Sequence, residues 1–156
     1  PYRLCRKSGN LEKYQEAWVD ANTFGEVMTL LDILCDSKDD RHLTGKWMST
    51  QMFGKYFHSG LLEPTFDELA DTFDKNSGAL EKACKALGGH AISGGDEAWA
   101  VEVMDGLEIG IFFWHADEEF PAQIRFFWDE NAPMYIKYET MHYTLGYLRQ
   151  LLAAQQ

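Results

Sequence analysis

The sequence contains few cysteines, and those it contains stand far apart. Cys5, Cys35 and Cys84 are the three thiols among 156 residues, and no two of them form a C-x-x-C pair. An odd number of isolated cysteines argues against a disulfide framework and against a structural zinc site. Thiols used in this way are typical of the reducing cytoplasm, so the sequence predicts a cytoplasmic protein.

Basic residues and long apolar runs are also scarce. Lysine and arginine number 14 against 25 aspartates and glutamates, which gives a formal net charge of −11. The basic residues are scattered, whereas binding to nucleic acid or to an anionic membrane surface needs them clustered. No apolar stretch is long enough to span a bilayer and no signal peptide opens the chain, although its first residue is Pro1 rather than Met. We therefore expect neither nucleic acid nor a membrane among the partners, while the oligomeric state stays open.

Common catalytic motifs are missing as well. The chain has no H-E-x-x-H, no G-x-S-x-G and no Walker-type glycine loop. The sequence therefore names no reaction, and it leaves open whether the protein is an enzyme.

What the chain does contain is ample material for a hydrophobic core. Its apolar share is 46% and its aromatic share 14%, as in folded globular proteins. A length of 156 residues fits one domain that needs no covalent staples. We predict a single domain over residues 1–156.

Apolar residues recur at helical spacing through most of the first two thirds of the chain. A short hairpin turning at residues 8–10 precedes a predicted helix over residues 22–37, where Thr23 and Glu26 form a capping box. The expected buried stripe of this helix consists of Phe24, Val27, Met28, Leu31, Leu34 and Cys35. A short strand near residues 43–48 and a turn of helix from Ser49 follow. Two further helices, over residues 65–73 and 79–88, bury Phe73 and Cys84 among their apolar residues.

From His90 the hydrophobic period changes from 3.6 to 2, which indicates strands. Residues 97–104 and 107–114 flank Asp105-Gly106, a strong hairpin signal, and residues 121–129 form a third strand. Residues 138–156 return to helical spacing. The predicted fold class is α+β, with an N-terminal helical part, an antiparallel β-meander and a closing C-terminal helix.

The turn between the second and third meander strands is the candidate site. Within FFWHADEEFPAQIRFFW, residues 112–128, a cluster of acidic residues and one imidazole lies between two aromatic runs. The candidate binding residues are Trp114, His115, Asp117, Glu118, Glu119, Phe120 and Trp128.

Three hypotheses account for this turn. In the first, the protein is a non-enzymatic accessory domain that binds a small molecule or a partner protein through the turn. In the second, it is a divalent-metal-dependent enzyme, plausibly a hydrolase, with His115, Asp117 and Glu119 as ligands beside Glu118. In the third, the motif is structural, because a loop between two apolar strands is expected to be charged and a carboxylate can cap backbone N–H groups. We predict no cofactor, with a divalent metal as the alternative, since consecutive residues of an extended segment point to alternate sides and cannot all converge on one ion without a tight loop.

Five segments together resemble an uncharacterised prokaryotic family, domain of unknown function 3786. They are LLDIL, LTGKWMS, ALGG, FFWHADEEFP and YETMHYTLGYL, which span about residues 30–152. Gly45, Trp47 and Glu139 match further family positions. The resemblance implies a shared fold and a shared acidic motif, but no activity and no catalytic residue. Some relatives carry a cysteine-rich iron–sulfur module, whereas the three lone cysteines here cannot hold a four-cysteine cluster.

Overall fold

The computed structural model describes residues 2–57 and 66–155, with the backbone alone for residues 54–57. The strands are β1 Tyr2–Leu4, β2 Leu11–Gln15, β3 Ala17–Asp20, β4 Trp47–Ser49, β5 His90–Ala91, β6 Glu97–Met104, β7 Leu107–Trp114 and β8 Gln123–Asp129. The helices are α1 Phe24–Asp36, α2 Thr50–Phe57, α3 Asp67–Lys75, α4 Ala79–Ala86 and α5 Tyr138–Ala153, with a turn of 3-10 helix at Ala132–Met134. The fold class is α+β, as predicted.

The strands form two antiparallel sheets. The predicted N-terminal hairpin is confirmed as β1 and β2, and a third strand, β3, which the sequence did not indicate, pairs with β2. The larger sheet has the order β4-β8-β7-β6-β5. Its centre is the predicted meander, in which Asp105 and Gly106 both have positive φ, as a tight hairpin turn requires. The short strand β4 extends the meander beyond β8, so β8 is flanked on both sides rather than lying at an edge.

Helices α3, α4 and α5 cover one face of the larger sheet. The core-facing residues of β7 are Leu107, Ile109, Ile111 and Phe113, and none is more than 1% exposed. Their burial stabilises the fold by about 1.5–3 kcal/mol for each side chain. The apolar stripes predicted for α3, α4 and α5 are confirmed, because Phe73, Cys84 and Met141 all lie in this core. Burial raises the pKa of the Cys84 thiol to about 12.

The buried stripe predicted for α1 is wrong. Phe24 is 66% exposed and Leu34 is 59% exposed, and Leu31 and Cys35 are exposed as well. The helix turns its other side inward, where Glu26 and Asp32 are buried. The sequence pattern predicted that the apolar face of α1 is buried. It could not predict that Glu26 and Asp32 form ion pairs and hydrogen bonds with distant residues, which allow the charged face to be buried instead.

Glu26 joins the N-terminal sheet to α1. Its carboxylate accepts a hydrogen bond from the Tyr2 hydroxyl at 2.8 Å and pairs with the Lys13 ammonium group at 3.1 Å. Thr23 occupies the N-cap position of α1, but its side chain makes no capping hydrogen bond. The predicted capping box is therefore wrong in its hydrogen bonds, because the Thr23 hydroxyl donates to Oε2 of Glu26 at 3.4 Å instead of accepting from a backbone N–H group.

Asp32 joins α1 to the start of α5, as Glu26 joins α1 to the N-terminal sheet. Its Oδ2 accepts a hydrogen bond from the backbone N–H of Lys137, the N-cap residue of α5, at 2.9 Å. Its Oδ1 lies 3.3 Å from the Lys137 ammonium group. Burial by itself raises the pKa of Asp32, but hydrogen bonds from Thr140 and Lys137 outweigh it and hold that pKa below its ordinary value. A carboxylate on one helix thus caps another helix.

Asp129 holds the segment before β4. Its Oδ2 accepts hydrogen bonds from the backbone N–H groups of Thr44, at 2.9 Å, and Gly45, at 2.7 Å, while Oδ1 accepts from Asn131 at 2.8 Å. Gly45 has a φ of +74°, which favours glycine. This contact places Trp47 and the start of α2 beside β8.

None of the helices in the described part of the chain is long and apolar enough to cross a bilayer.

We predict that Asp32→Ala lowers the free energy of unfolding by about 3 kcal/mol, because it leaves Lys137 and the first turn of α5 without their buried acceptor. Urea unfolding followed by circular dichroism measures the change. The matched control is Asp36→Ala, which removes the more exposed partner of the same lysine and is expected to cost less than about 1 kcal/mol. Equal losses in the two variants would contradict this role of Asp32.

Candidate functional site

The predicted acidic turn, residues 115–121, lies between β7 and β8, at the end of the sheet opposite the Asp105–Gly106 hairpin. Two carboxylates from other elements hold its first residues. Asp74, near the end of α3, places Oδ1 2.7 Å from Nδ1 of His115 and 3.3 Å from the backbone nitrogen of Ala116. The hydrogen bond with His115 keeps the pKa of Asp74 below its ordinary value. His115 is therefore an anchor of the turn, with its Nδ1 directed at α3.

The loop between β5 and β6 supplies the second anchor. Asp96 accepts a hydrogen bond from the backbone N–H of His115 through Oδ2 at 2.9 Å. The loop approaches the sheet closely at Gly94, where a Cβ would collide with the ring of Phe112. A glycine is required at that position for Asp96 to reach the turn.

Asp117 closes the turn on itself. Its Oδ1 accepts hydrogen bonds from the backbone N–H groups of Glu119, at 2.8 Å, and Phe120, at 2.7 Å. The N–H of Asp117 in turn donates to the carbonyl oxygen of Phe120 at 3.0 Å. The bonds from Glu119 and Phe120 hold the pKa of Asp117 below its ordinary value. The structural hypothesis expected that one carboxylate of the motif caps backbone N–H groups. That carboxylate is Asp117.

The tip of the turn faces solvent. Glu118 and Glu119 are exposed, and Phe120 is 59% exposed. Neither glutamate makes an ion pair or a side-chain hydrogen bond with any residue that the structure describes. These three side chains are free to contact a ligand, and the glutamates do not have the buried, bonded position that would make their loss destabilising.

Trp114 belongs to the sheet face that the helices leave uncovered. Its ring stacks with Phe112 at a centroid distance of 6.3 Å, and the Arg125 guanidinium lies 5.7 Å from the Trp114 ring centroid. The prediction that Trp128 contributes to the contact surface is wrong. Trp128 is fully buried, because residues alternate between the two sheet faces and it shares the core face with Phe126.

A cavity of about 900 Å³ opens beside the turn. On one side it is lined by the chain from Pro121 to Phe127, which leaves the turn and forms most of β8. On the other side lie Asp67 and Asp71, which are exposed residues of α3. These aspartates precede Asp74 on the same helix, so the element that anchors His115 also forms an acidic wall of the cavity.

The residues predicted as metal ligands do not come together. Asp117 is occupied by two backbone N–H groups, His115 directs Nδ1 at Asp74, and Glu119 points to solvent. Over residues 2–57 and 66–155, no three His, Cys, Asp or Glu side chains are grouped so that they could hold an ion. The arrangement gives the metal hypothesis no support.

The fold and the site together define a small α+β domain with one helix-covered sheet and an acidic, aromatic turn at the rim of a cavity. The model of the family described as Domain of unknown function (DUF3786) matches residues 1–150, and the chain belongs to that family. The match begins at residue 1 rather than near residue 30, so the N-terminal sheet is part of the family domain. No curated protein and no solved structure matches the chain.

Sequence reasoning found the turn but missed the residues around it. Asp74, Asp96, Asp67 and Asp71 are distant from the turn along the chain and carry no local motif. The one available signal was the spacing of Asp67, Asp71 and Asp74, which places three carboxylates on one face of a short helix. That spacing predicts an acidic face on α3, but it cannot predict which loop of the protein contacts this face.

We predict that the cap made by Asp117 is present in full above the ordinary aspartate pKa of about 3.9 and is lost as the pH falls through its lower folded-state value. Nuclear magnetic resonance titration should show the amide protons of Glu119 and Phe120 shifting together with that low midpoint. Asp117→Ala should abolish the titration of both amides and speed their hydrogen exchange, whereas Glu118→Ala should leave both unchanged. A midpoint at or above the ordinary aspartate value would rule out the cap.

Proposed function

We propose that this protein is a non-enzymatic binding domain that recognises a basic, partly apolar segment of a partner protein at the acidic turn and the adjoining cavity. The observation that carries the proposal is a set of four exposed carboxylates, two on the wall of the cavity and two on the adjoining turn. Asp67 and Asp71 lie on the α3 side, and Glu118 and Glu119 lie at the tip of the turn.

These four carboxylates are not neutralised by the protein itself. None of them makes an ion pair within the described residues. Arg125 also lines the cavity, where its guanidinium donates to the side-chain oxygen of Gln123 at 2.8 Å and lies 5.7 Å from the Trp114 ring centroid rather than pairing with a carboxylate. Unpaired carboxylates around a concave surface raise the local concentration of cations and favour a basic ligand.

The shape of the site supports a chain segment as the ligand. A volume of about 900 Å³ lies at the upper end of the range for small-molecule pockets, which is about 300–1,000 Å³. Phe120, Glu118 and Glu119 extend the acidic and aromatic surface outside the cavity itself. A ligand that contacts both parts is larger than the cavity, and a segment with lysine or arginine next to an apolar side chain would satisfy both.

The anchoring of the turn supports the same proposal. His115 and Asp117 fix the backbone of the turn through their hydrogen bonds. Glu118, Glu119 and Phe120 therefore project from a preformed loop. A preformed loop loses less conformational entropy on binding than a flexible one. The structural role of Asp117 and the binding role of its neighbours are therefore complementary parts of one motif.

We also propose that the protein acts in the cytoplasm. Its three cysteines are free thiols, and Cys5 and Cys35 are exposed. Exposed thiols persist in the reduced form in a reducing compartment. The acidic surface supports the expectation that nucleic acid and anionic membranes are not partners.

The test uses a fluorescein-labelled peptide of alternating lysine and phenylalanine, with fluorescence anisotropy as the measurement. We expect the double variant Glu118→Gln/Glu119→Gln to bind this peptide about tenfold more weakly, because two charge contacts with the peptide are lost. Phe120→Ser should also weaken binding without lowering the melting temperature, since its ring is exposed. Added salt should weaken binding to the unaltered protein, because these contacts lie near the surface.

Two controls separate a specific site from the general negative charge. Asp39→Asn/Asp40→Asn removes two charges from an exposed loop at the other end of the sheet and should leave binding unchanged. A peptide of alternating glutamate and phenylalanine should not bind. Equal weakening by the two double variants, or binding of the glutamate peptide, would refute the proposed site.

A further inference from the structure

A second, smaller cavity lies between α1, α5 and the strands β6 and β7. Its volume is about 140 Å³, and it shares no lining residue with the cavity beside the acidic turn. Most of its wall is apolar, formed by Leu30, Ile33, Val101, Val103, Ile109 and Leu148. A cavity of about 150 Å³ with apolar walls is large enough to hold benzene.

Two carboxylates line this cavity: Glu102 is exposed and accepts a hydrogen bond from the backbone N–H of Gly106 at 2.9 Å, whereas Glu26, at the buried end, is neutralised. Glu26 accepts hydrogen bonds from the hydroxyls of Tyr2, at 2.8 Å, and Tyr147, at 3.3 Å, and pairs with Lys13. Burial of the Tyr2 hydroxyl raises its pKa, so it stays a proton donor to Glu26. This end of the cavity therefore offers no uncompensated charge, and a neutral occupant fits it better than an ion.

Two threonine hydroxyls on the wall have more contacts than protons. Thr29 Oγ1 lies 2.7 Å from the carbonyl oxygen of Gly25, and Thr144 Oγ1 lies 2.8 Å from the carbonyl oxygen of Thr140. The two hydroxyl oxygens also lie 3.0 Å from each other. Each hydroxyl has one proton, so three contacts share two protons and one contact lacks a hydrogen.

In one proton arrangement of this pair, both hydroxyl oxygens can accept a further hydrogen bond. When both hydroxyls donate to the carbonyls of their own helices, their oxygens face each other as two acceptors with no donor between them. Thr144 is 6% exposed, so bulk water has little access to its oxygen. An O–H or N–H group on an occupant would supply the missing proton to the Thr29–Thr144 pair.

We propose that this cavity is a binding site for a small neutral molecule about the size of phenol, which places an apolar body between α1 and α5 and donates one hydrogen bond to the hydroxyl oxygens of Thr29 and Thr144. The site is independent of the proposed peptide-binding function, because it lies in another part of the fold.

Phenol and toluene are the probes, since they have the same number of heavy atoms and differ by the hydroxyl group. The full chain, labelled with ¹⁵N, is titrated with each compound and amide shifts are recorded. We expect phenol to bind with a Kd of about 1 mM and to shift amides of residues that line the cavity. Toluene should bind about tenfold more weakly, because it cannot donate a hydrogen bond.

Thr144→Val tests the role of the hydroxyl pair with little change of shape. This variant should bind phenol about tenfold more weakly, at the affinity of toluene, while its affinity for toluene is unchanged or higher. The matched control is Thr72→Val, since Thr72 bonds to the carbonyl oxygen of Glu68 in the same way but lies on α3 outside the cavity. Thr29→Val serves as a second variant should Thr144→Val not fold.

Filling the cavity gives a separate readout. Val103→Phe, at a partly exposed position on the wall, should abolish binding of both compounds. The proposal is overturned if phenol shifts no amide of the cavity wall, if phenol and toluene bind equally well, or if the Thr144→Val and Thr72→Val variants bind phenol alike.

Discussion

The β6–β7–β8 meander has one face that must be kept from water, and the arrangement of the other elements follows from this constraint. Residues of β7 alternate between the two faces of the sheet, and Leu107, Ile109, Ile111 and Phe113 share the face that is almost fully buried. Covering the buried face requires α3, α4 and α5 to pack on it. Since α3 then runs beside the end of β7, its last carboxylate, Asp74, meets the turn at residues 115–121.

Three buried carboxylates join parts of the chain that are far apart in sequence. Glu26 connects α1 to the N-terminal sheet, Asp32 connects α1 to the start of α5, and Asp129 connects the segment before β4 to β8. A buried carboxylate without partners would cost several kcal/mol, so each of these contacts also specifies which elements are neighbours. This is why α1 can turn charged residues inward and leave Phe24 and Leu34 in solvent.

The acidic turn divides its residues between two tasks. His115 and Asp117 fix the backbone, whereas Glu118, Glu119 and Phe120 project from it. The arrangement differs from a metal site, in which the carboxylates would converge on one point. It is consistent with a rigid, acidic surface for ligand contact beside the larger cavity.

The amino-acid sequence by itself determined the α+β class, the meander with its turns, and the stripes of α3, α4 and α5, because in these elements the hydrophobic residues that set the period are the ones that pack into the core. It also located the acidic turn. Only the tertiary structure decided that α1 is inverted, that Trp128 lies in the core, that Asp74 anchors the turn, and that Asp67 and Asp71 line the adjoining cavity. Those outcomes depend on pairings between distant residues, such as Asp32 with Lys137, and a local pattern contains no information about a partner 105 residues away.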